Sequence, residues 1–559
     1  VAQGDSDWPT HLTAVKILSA FGLLADRRAV TETCLPLLQR LTKLGDDGVP
    51  CRVSFALAPT LLHQLADPLL QQRYDRYLQS AIDQAREVAD SPALDADVRQ
   101  VATHRHDRLR ELRTLWRDRY DGYLAAAFRD FARSGHLELL ASAATDAFLP
   151  LHAERPDVIR TQIEVGVEEF ERCFGVAPRG FWLPECGFRA GLDDHLAAAG
   201  IEYTVVAAHG LAQAAPELGV HAPIVCPSGM LAFASDPDAG ERIAHPETGY
   251  ASRRLGNTAE GGDSERSLAR ARAHATNFIA TRAATLEALR RGATQPPLIT
   301  VALSADLLGL TWPEGADWFE AVLRKAAWEQ NSFTTATLGD AAAAIPIVQE
   351  GYPGDSSLSP AGYREAWLGG EADWIYPYLD AAAARMLTAV DRINQPRGLV
   401  LRALDQAGRE LLLSQSADWP AAMSDPALAP AATEKFRGHL HAFHQLLDGA
   451  EESRATAPVA SFLDAFRRLI DVDGNGVVDD AELRLLRDML HLASVSSVDL
   501  LDEQTHDPDG VPEQGGRGDN IEPQDQPETF GDQERDGHAQ QRQRDQRDAH
   551  ERSREQTST

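Results

Sequence analysis

Phe181-Trp182-Leu183-Pro184-Glu185-Cys186 is an apolar strand that runs into a proline and delivers one carboxylate at its end. Arg179-Gly180 before it reads as a turn. Residues 187–200 read as a loop, then a helix with Leu192, Leu196 and Ala199 on one face, closed by a glycine. Residues 201–207 form a second apolar strand. The whole is a βαβ unit, with Glu185 at the C-terminal end of its first strand, the end that carries the chemistry in parallel α/β barrels. Spacing alone leaves two readings open, a catalytic carboxylate or a surface glutamate after a strand.

Further apolar strands are read at residues 53–58 and 298–303, between longer helices. Residues 73–131 are helical and rich in Arg and Asp, an insertion with its charges on a solvated face. Residues 318–450 are mainly helical, and Leu399, Ala403, Leu404, Ala407, Leu411 and Leu412 make one apolar face. From about residue 496 the chain turns to Asp, Glu, Gln, Arg, Gly and Pro, a composition that buries too little surface to fold alone. The predicted architecture is α/β: an incomplete parallel (β/α) barrel over 1–317 with a helical insertion at about 73–131, a C-terminal helical domain over 318–455, a helix-loop-helix over 456–495 and a disordered acidic tail over 496–559.

The 559 residues carry a net charge of -30, which argues against nucleic acid and anionic membrane surfaces as partners. A neutral polysaccharide or a cation is compatible with it. The five cysteines are scattered and lack CxxC spacing, so reduced thiols are expected. No apolar run reaches membrane-spanning length. The first residues, Val1-Ala-Gln-Gly-Asp-Ser-Asp7, do not read as a signal peptide, and a cytoplasmic location is expected. They also lack a starting methionine, which leaves open that the chain is a fragment.

Gly180-Phe-Trp-Leu-Pro-Glu-Cys186 resembles the nucleophile motif of glycoside hydrolase family 57, specifically of its 1,4-α-glucan branching enzymes. Further segments resemble the family in order: residues 32–38, 52–75 and 137–151, Ala366-Trp-Leu-Gly-Gly-Glu-Ala-Asp-Trp-Ile-Tyr-Pro377, and Arg409-Glu-Leu-Leu-Leu-Ser-Gln-Ser-Ala-Asp-Trp-Pro420. The resemblance implies an α-1,4-glucan substrate and retaining chemistry, which needs two carboxyl groups about 5–5.5 Å apart. It implies Glu185 as nucleophile. Where the family has its acid/base aspartate this chain has Ser304, and Asp306 stands where the family has a glutamate. Serine is far too weak an acid for the role. Asp306 could substitute, displaced by two residues. Leu310 and Thr311 replace a His and a Trp of the family, Asp146 replaces a His, and Ala207 replaces an acidic residue. Only Thr10-His11-Leu12 is faintly similar to the family's opening His-x-His-Leu-Pro motif. His209, Trp182, Trp312, Trp374, Asp418 and Trp419 are candidate substrate contacts, since sugar C–H faces pack on aromatic planes; each tryptophan reads equally well as core.

Asp471-Val-Asp-Gly-Asn-Gly-Val-Val-Asp-Asp-Ala-Glu482 fits an EF-hand loop. Asp471, Asp473, Asn475, Asp479 and Glu482 fall at oxygen-ligand positions, Val477 offers a backbone carbonyl, and Gly476 permits the sharp turn. Calcium is the expected ion, and a single unpaired EF-hand invites a protein partner. Three functions stay open: a branching-type enzyme acting through Glu185 with a defective acid, a non-catalytic glucan-binding or scaffold protein, and a calcium-responsive binding protein.

Overall fold

The computed structural model describes residues 11–18, 27–252, 264–291, 293, 295–346, 349–393 and 396–451. The loop Asp471 to Glu482 and the tail from 496 lie outside them. Among the described residues nine strands make one sheet: β1 His11–Leu18, β2 Val53–Leu57, β3 Leu137–Ser142, β4 Gly180–Trp182, β5 Tyr203–Val206, β6 Ile224–Val225, β7 Leu231–Ala234, β8 Leu298–Ser304 and β9 Thr334–Ala336. Their order is β6-β7-β5-β4-β3-β2-β1-β8, with β9 paired to β1. Every pairing is parallel except that of β6 with β7.

The sheet closes on itself. Ser235, just past β7, bridges Thr300 of β8 in parallel, and the N–H of Asp236 donates to the Thr300 carbonyl at 2.7 Å. The ring thus passes through β1, β2, β3, β4, β5, β7 and β8, short of the eight strands of a full (β/α)₈ barrel. β2, β4, β5 and β7 are buried at every position, as parallel strands covered by helices on both faces must be.

Side chains fill the lumen. Ala56, Leu140, Trp182, Tyr203, Val205, Phe233 and Leu298 form one cluster with Leu338 and Ala341 of the helix Leu338–Ala344. Gly180 is required here, because a Cβ on it would stand 2.4 Å from the Tyr203 ring and 2.5 Å from Leu140. Glu138 plugs the lumen toward that helix. It accepts from Ser54 Oγ at 2.5 Å, from the Gly339 N–H at 3.2 Å and from the Tyr203 hydroxyl.

One strand escaped the sequence reading and one expected boundary is corrected. His11 opens β1, paired with Leu298 at the start of β8, so it lies at the end of the barrel away from Glu185. The polar Thr13 and Lys16 interrupt the apolar run of β1 and hide it from pattern reading. A helical-domain boundary at 318 cuts the helix Gly315–Trp328, whose Trp318, Phe319, Val322 and Leu323 pack into the barrel core. The separate helical layer is built from Ile375–Arg392, Gly398–Ser414, Asp418–Met423 and Ala429–Glu451, and the predicted face of Ala403, Leu404, Ala407 and Leu411 is its core with Phe436, Phe443 and Leu447. The insertion is the helix pair Pro68–Asp90 and Ala96–Thr114.

Candidate active site

Three carboxylates converge where β3 and β4 end against the helical layer. β4 hands over to the tight turn Pro184–Cys186, which places Glu185 in the left-handed region at φ 56 and ψ 27, and Cys186 follows at φ 50. Asp146, in the loop after β3, is also left-handed at φ 55. Non-glycine residues seldom adopt this backbone, and such strain clusters at functional sites. The third, Asp418, opens the helix Asp418–Met423. Its segment is sewn to the loop of Asp146: Ala147 bridges Ser416, and the Ala417 N–H donates to the Asp146 carbonyl at 3.3 Å.

The carboxylates repel one another. Desolvation by the surrounding protein, then the charge of Asp418, pushes the Glu185 carboxyl up. Glu185 is nevertheless open to solvent. Both hold for a group on the floor of a recess, with water above it and protein on the other sides. Asp146 is only 7% exposed. Burial, then Asp418, then Glu185 hold its carboxyl well above the usual carboxylate range.

A strap of chain crosses this mouth of the barrel between β9 and the helical layer. The Leu358 N–H donates to the Glu185 carbonyl at 2.8 Å, and Phe188 and Ser356 exchange N–H···O bonds of 2.9 and 3.1 Å. The Gly354 N–H donates to the Gly210 carbonyl at 2.9 Å. His209 Nε2–H donates to the Gly362 carbonyl at 2.7 Å. His209, predicted to contact substrate, therefore anchors the strap through that nitrogen.

Ser304 ends β8, and its hydroxyl accepts from the Asp306 N–H at 3.3 Å. Asp306 is 8% exposed in the turn Ala305–Leu308, and its carbonyl accepts from the Thr311 N–H at 2.9 Å. The neighbouring charge that raises Glu185 is Asp418.

The tryptophans resolve mostly as core. Trp182 lies in the lumen cluster at 2% exposure. Trp312, at 1%, packs 5.5 Å from Trp318. Trp419, at 3%, donates its indole N–H to the Leu413 carbonyl at 2.9 Å. Trp374 is half-buried, edge-on to Phe436 with the Arg437 guanidinium over its ring at 5.4 Å. None of the three buried rings has a face free for a sugar.

Pattern reading missed the closeness of Asp146 and the strap. Asp146 was visible only as a departure from a family histidine. The strap has neither helical nor strand periodicity. A recess of about 850 Å³ lies between the two insertion helices, lined by Asp83, Arg110, Arg113 and Arg117. It stands apart from the strand ends and shares no residue with the carboxylates.

The profile described as Glycosyl hydrolase family 57 matches residues 61–348, and that of the 1,4-alpha-glucan branching enzyme C-terminal region matches residues 378–471. A 1,4-alpha-glucan branching enzyme of Thermococcus kodakarensis is 24% identical over 479 residues, 75% of this chain and 69% of its own. The crystal structure of the alpha-amylase AmyC from Thermotoga maritima superposes with a TM-score of 0.72 at 25% identity, covering 82% of this chain and 96% of its own. That of a GH57-type branching enzyme from Pyrococcus horikoshii also gives 0.72, at 23% identity, over 90% of this chain and 98% of its own, a likeness of fold.

Proposed function

Because the chain belongs to glycosyl hydrolase family 57, we propose that it acts on α-1,4-glucan in the manner of the 1,4-α-glucan branching enzymes, with Glu185 as nucleophile. The observation that carries this reading is Glu185 itself, a strained carboxylate at a barrel strand end with Asp146 and Asp418 beside it.

In the proposed step the Glu185 carboxylate attacks the anomeric carbon, the bond to the glycosidic oxygen breaks, and a glucosyl ester forms on Glu185. A glucan 6-hydroxyl then displaces the carboxylate, loses its proton to water and makes the branch. The negative charge around the recess favours the oxocarbenium character of the transition state. The same charge opposes ionisation of Glu185, so attack requires a pH above its raised pKa. The departing oxygen takes its proton from water, because Ser304 supplies none, and turnover is slow for that reason. The serine also favours a second reading, a glucan-binding protein without turnover.

Incubation with amylose, followed by iodine staining and branch-linkage analysis, separates the two. New α-1,6 linkages that vanish in Glu185→Gln support the enzyme. Glucan binding with no new linkage selects the binding protein, and no glucan binding at all removes both. Calcium at Asp471, Asp473, Asn475, Val477, Asp479 and Glu482 is proposed from donor spacing alone. Calcium-dependent partner binding without glucan affinity would select the calcium-responsive protein instead.

A further inference from the structure

The tryptophans nearest the carboxylates in sequence are buried, which leaves open what a sugar ring would pack on at this mouth. The strap answers. Among the described residues, Tyr352, Leu358, Tyr363 and Leu368 are large apolar side chains left exposed within one short stretch. Exposed apolar groups gathered beside a polar recess mark binding surfaces. The Tyr352 hydroxyl is engaged, accepting from the Gly191 N–H at 2.5 Å and lying 3.1 Å from Asp193 Oδ1.

Tyr363 differs. It is 49% exposed, and its ring meets the His209 ring edge-on at 5.6 Å. Its backbone is fixed on both sides. The N–H lies 3.2 Å from Glu365 Oε2, and the carbonyl accepts from the hydroxyls of Ser357 and, at 3.2 Å, Ser359. The Ser357 N–H donates to the Gly362 carbonyl at 2.7 Å, and the Gly362 N–H donates to the Ser359 carbonyl at 2.8 Å. The residue after Ser357 is Leu358, 41% exposed, whose N–H holds the Glu185 carbonyl. A rigid small loop thus presents one aromatic ring and one apolar side chain, tied by hydrogen bonds to the backbone of the candidate nucleophile. An ordered aromatic of this kind loses little conformational freedom when it binds.

We propose that Tyr363, with Leu358 beside it, is a glucan-stacking residue: its ring receives the apolar C–H face of a glucose unit at a subsite adjoining Glu185. The inference rests on the glucan reading above and names a contact within it. It also assigns His209 a positioning role, bracing the strap under Tyr363.

The test is calorimetric titration of maltoheptaose into the full chain carrying Glu185→Gln, which blocks turnover, with Tyr363→Ala, Tyr363→Phe and Tyr363→Trp added singly. Loss of one aromatic contact is expected to weaken binding about tenfold in Tyr363→Ala, while Tyr363→Phe and Tyr363→Trp stay within about threefold. The melting temperatures of all four proteins should agree, since the side chain is half exposed. Unchanged affinity in Tyr363→Ala overturns the proposal and leaves the glucan reading standing. Equal weakening in Tyr363→Ala and Tyr363→Phe also overturns it, because the hydroxyl and not the ring would then be the contact. No binding by the Glu185→Gln parent removes the glucan reading itself, and this inference with it.

Discussion

The backbone N–H of Leu358 donates to the carbonyl of Glu185 at 2.8 Å, so a residue far along the chain holds the candidate nucleophile from outside the barrel. Within its own turn, the Cys186 N–H donates to Leu183 and the Gly187 N–H to Pro184, each at 2.9 Å. Two successive left-handed residues, Glu185 and Cys186, cost on the order of 1–3 kcal/mol each. The hydrogen bonds of the turn and of the strap offset that strain. The recess is therefore built jointly by β4, the loop after β3 and the strap, and predictions can be aimed at each part.

Gly362 makes the turn of the strap loop. It has φ +88, and a Cβ there would lie 2.8 Å from His209 Nε2. Gly362→Ala adds backbone strain and pushes against the ring that braces the strap. A stability loss of about 1–3 kcal/mol in urea unfolding is expected, along with weaker maltoheptaose binding. A variant as stable and as tight-binding as the parent would show that the loop yields freely.

Asp146 gives a pH signature of definite sign. Its folded pKa lies above its unfolded value, through burial, Asp418 and Glu185. Between those two pKa values the native state holds more protons than the unfolded state, so stability falls as pH rises through that window. Asp146→Asn keeps the shape and removes the titration. At pH 7 it should melt measurably higher than the parent, and the gain should shrink toward pH 4. An advantage that grows on acidification would contradict this assignment.

His152 works in the opposite sense. It is buried, and desolvation depresses its pKa to about 4 despite the opposing charge of Asp380, which itself pairs with Arg155. The unfolded imidazole titrates near 6.5, so between those values the unfolded state binds the extra proton. Stability is lost as pH falls through the window, by about 3 kcal/mol at its lower end. His152→Leu should flatten the acid limb of a stability-against-pH curve. An unchanged limb would assign the acid sensitivity to other groups.

The barrel was legible where its strands are plain apolar runs. Residues 53–58, 201–207 and 298–303 became β2, β5 and β8, and the βαβ unit around Glu185 was read correctly because proline and glycine punctuate it. β1 escaped because Thr13 and Lys16 break its pattern, although its place in the middle of the sheet is fixed by β2 and β8 on either side. The tryptophans could not be sorted from sequence, since a large aromatic ring serves a core and a sugar site equally well. The proximity of Asp146 and Asp418 to Glu185 is a tertiary fact with no local pattern, carried by the Ala147–Ser416 bridge.

The calcium loop can be tested on its own terms. A full set of oxygen donors predicts a dissociation constant between about 10⁻⁷ and 10⁻³ M. Calorimetric titration of calcium should give a saturable signal that Glu482→Gln removes or greatly weakens, because it loses the bidentate carboxylate at the last position. Equal heats from both proteins would rule this loop out as the site.

The chemistry itself turns on Ser304. If the defect is a missing acid and not a missing site, Ser304→Asp places a carboxylate at the end of β8 and should raise branching activity on amylose measurably above the wild-type level. Glu185→Gln should abolish activity in both backgrounds, since an amide is a poor nucleophile. Asp306→Asn should change little, because Asp306 is 8% exposed in the turn Ala305–Leu308, two residues beyond the end of β8. Misplacement of a catalytic group by even 1 Å costs on the order of 100-fold. Robust wild-type activity that disappears in Asp306→Asn would make Asp306 the acid. Activity that survives Glu185→Gln would remove Glu185 as nucleophile altogether.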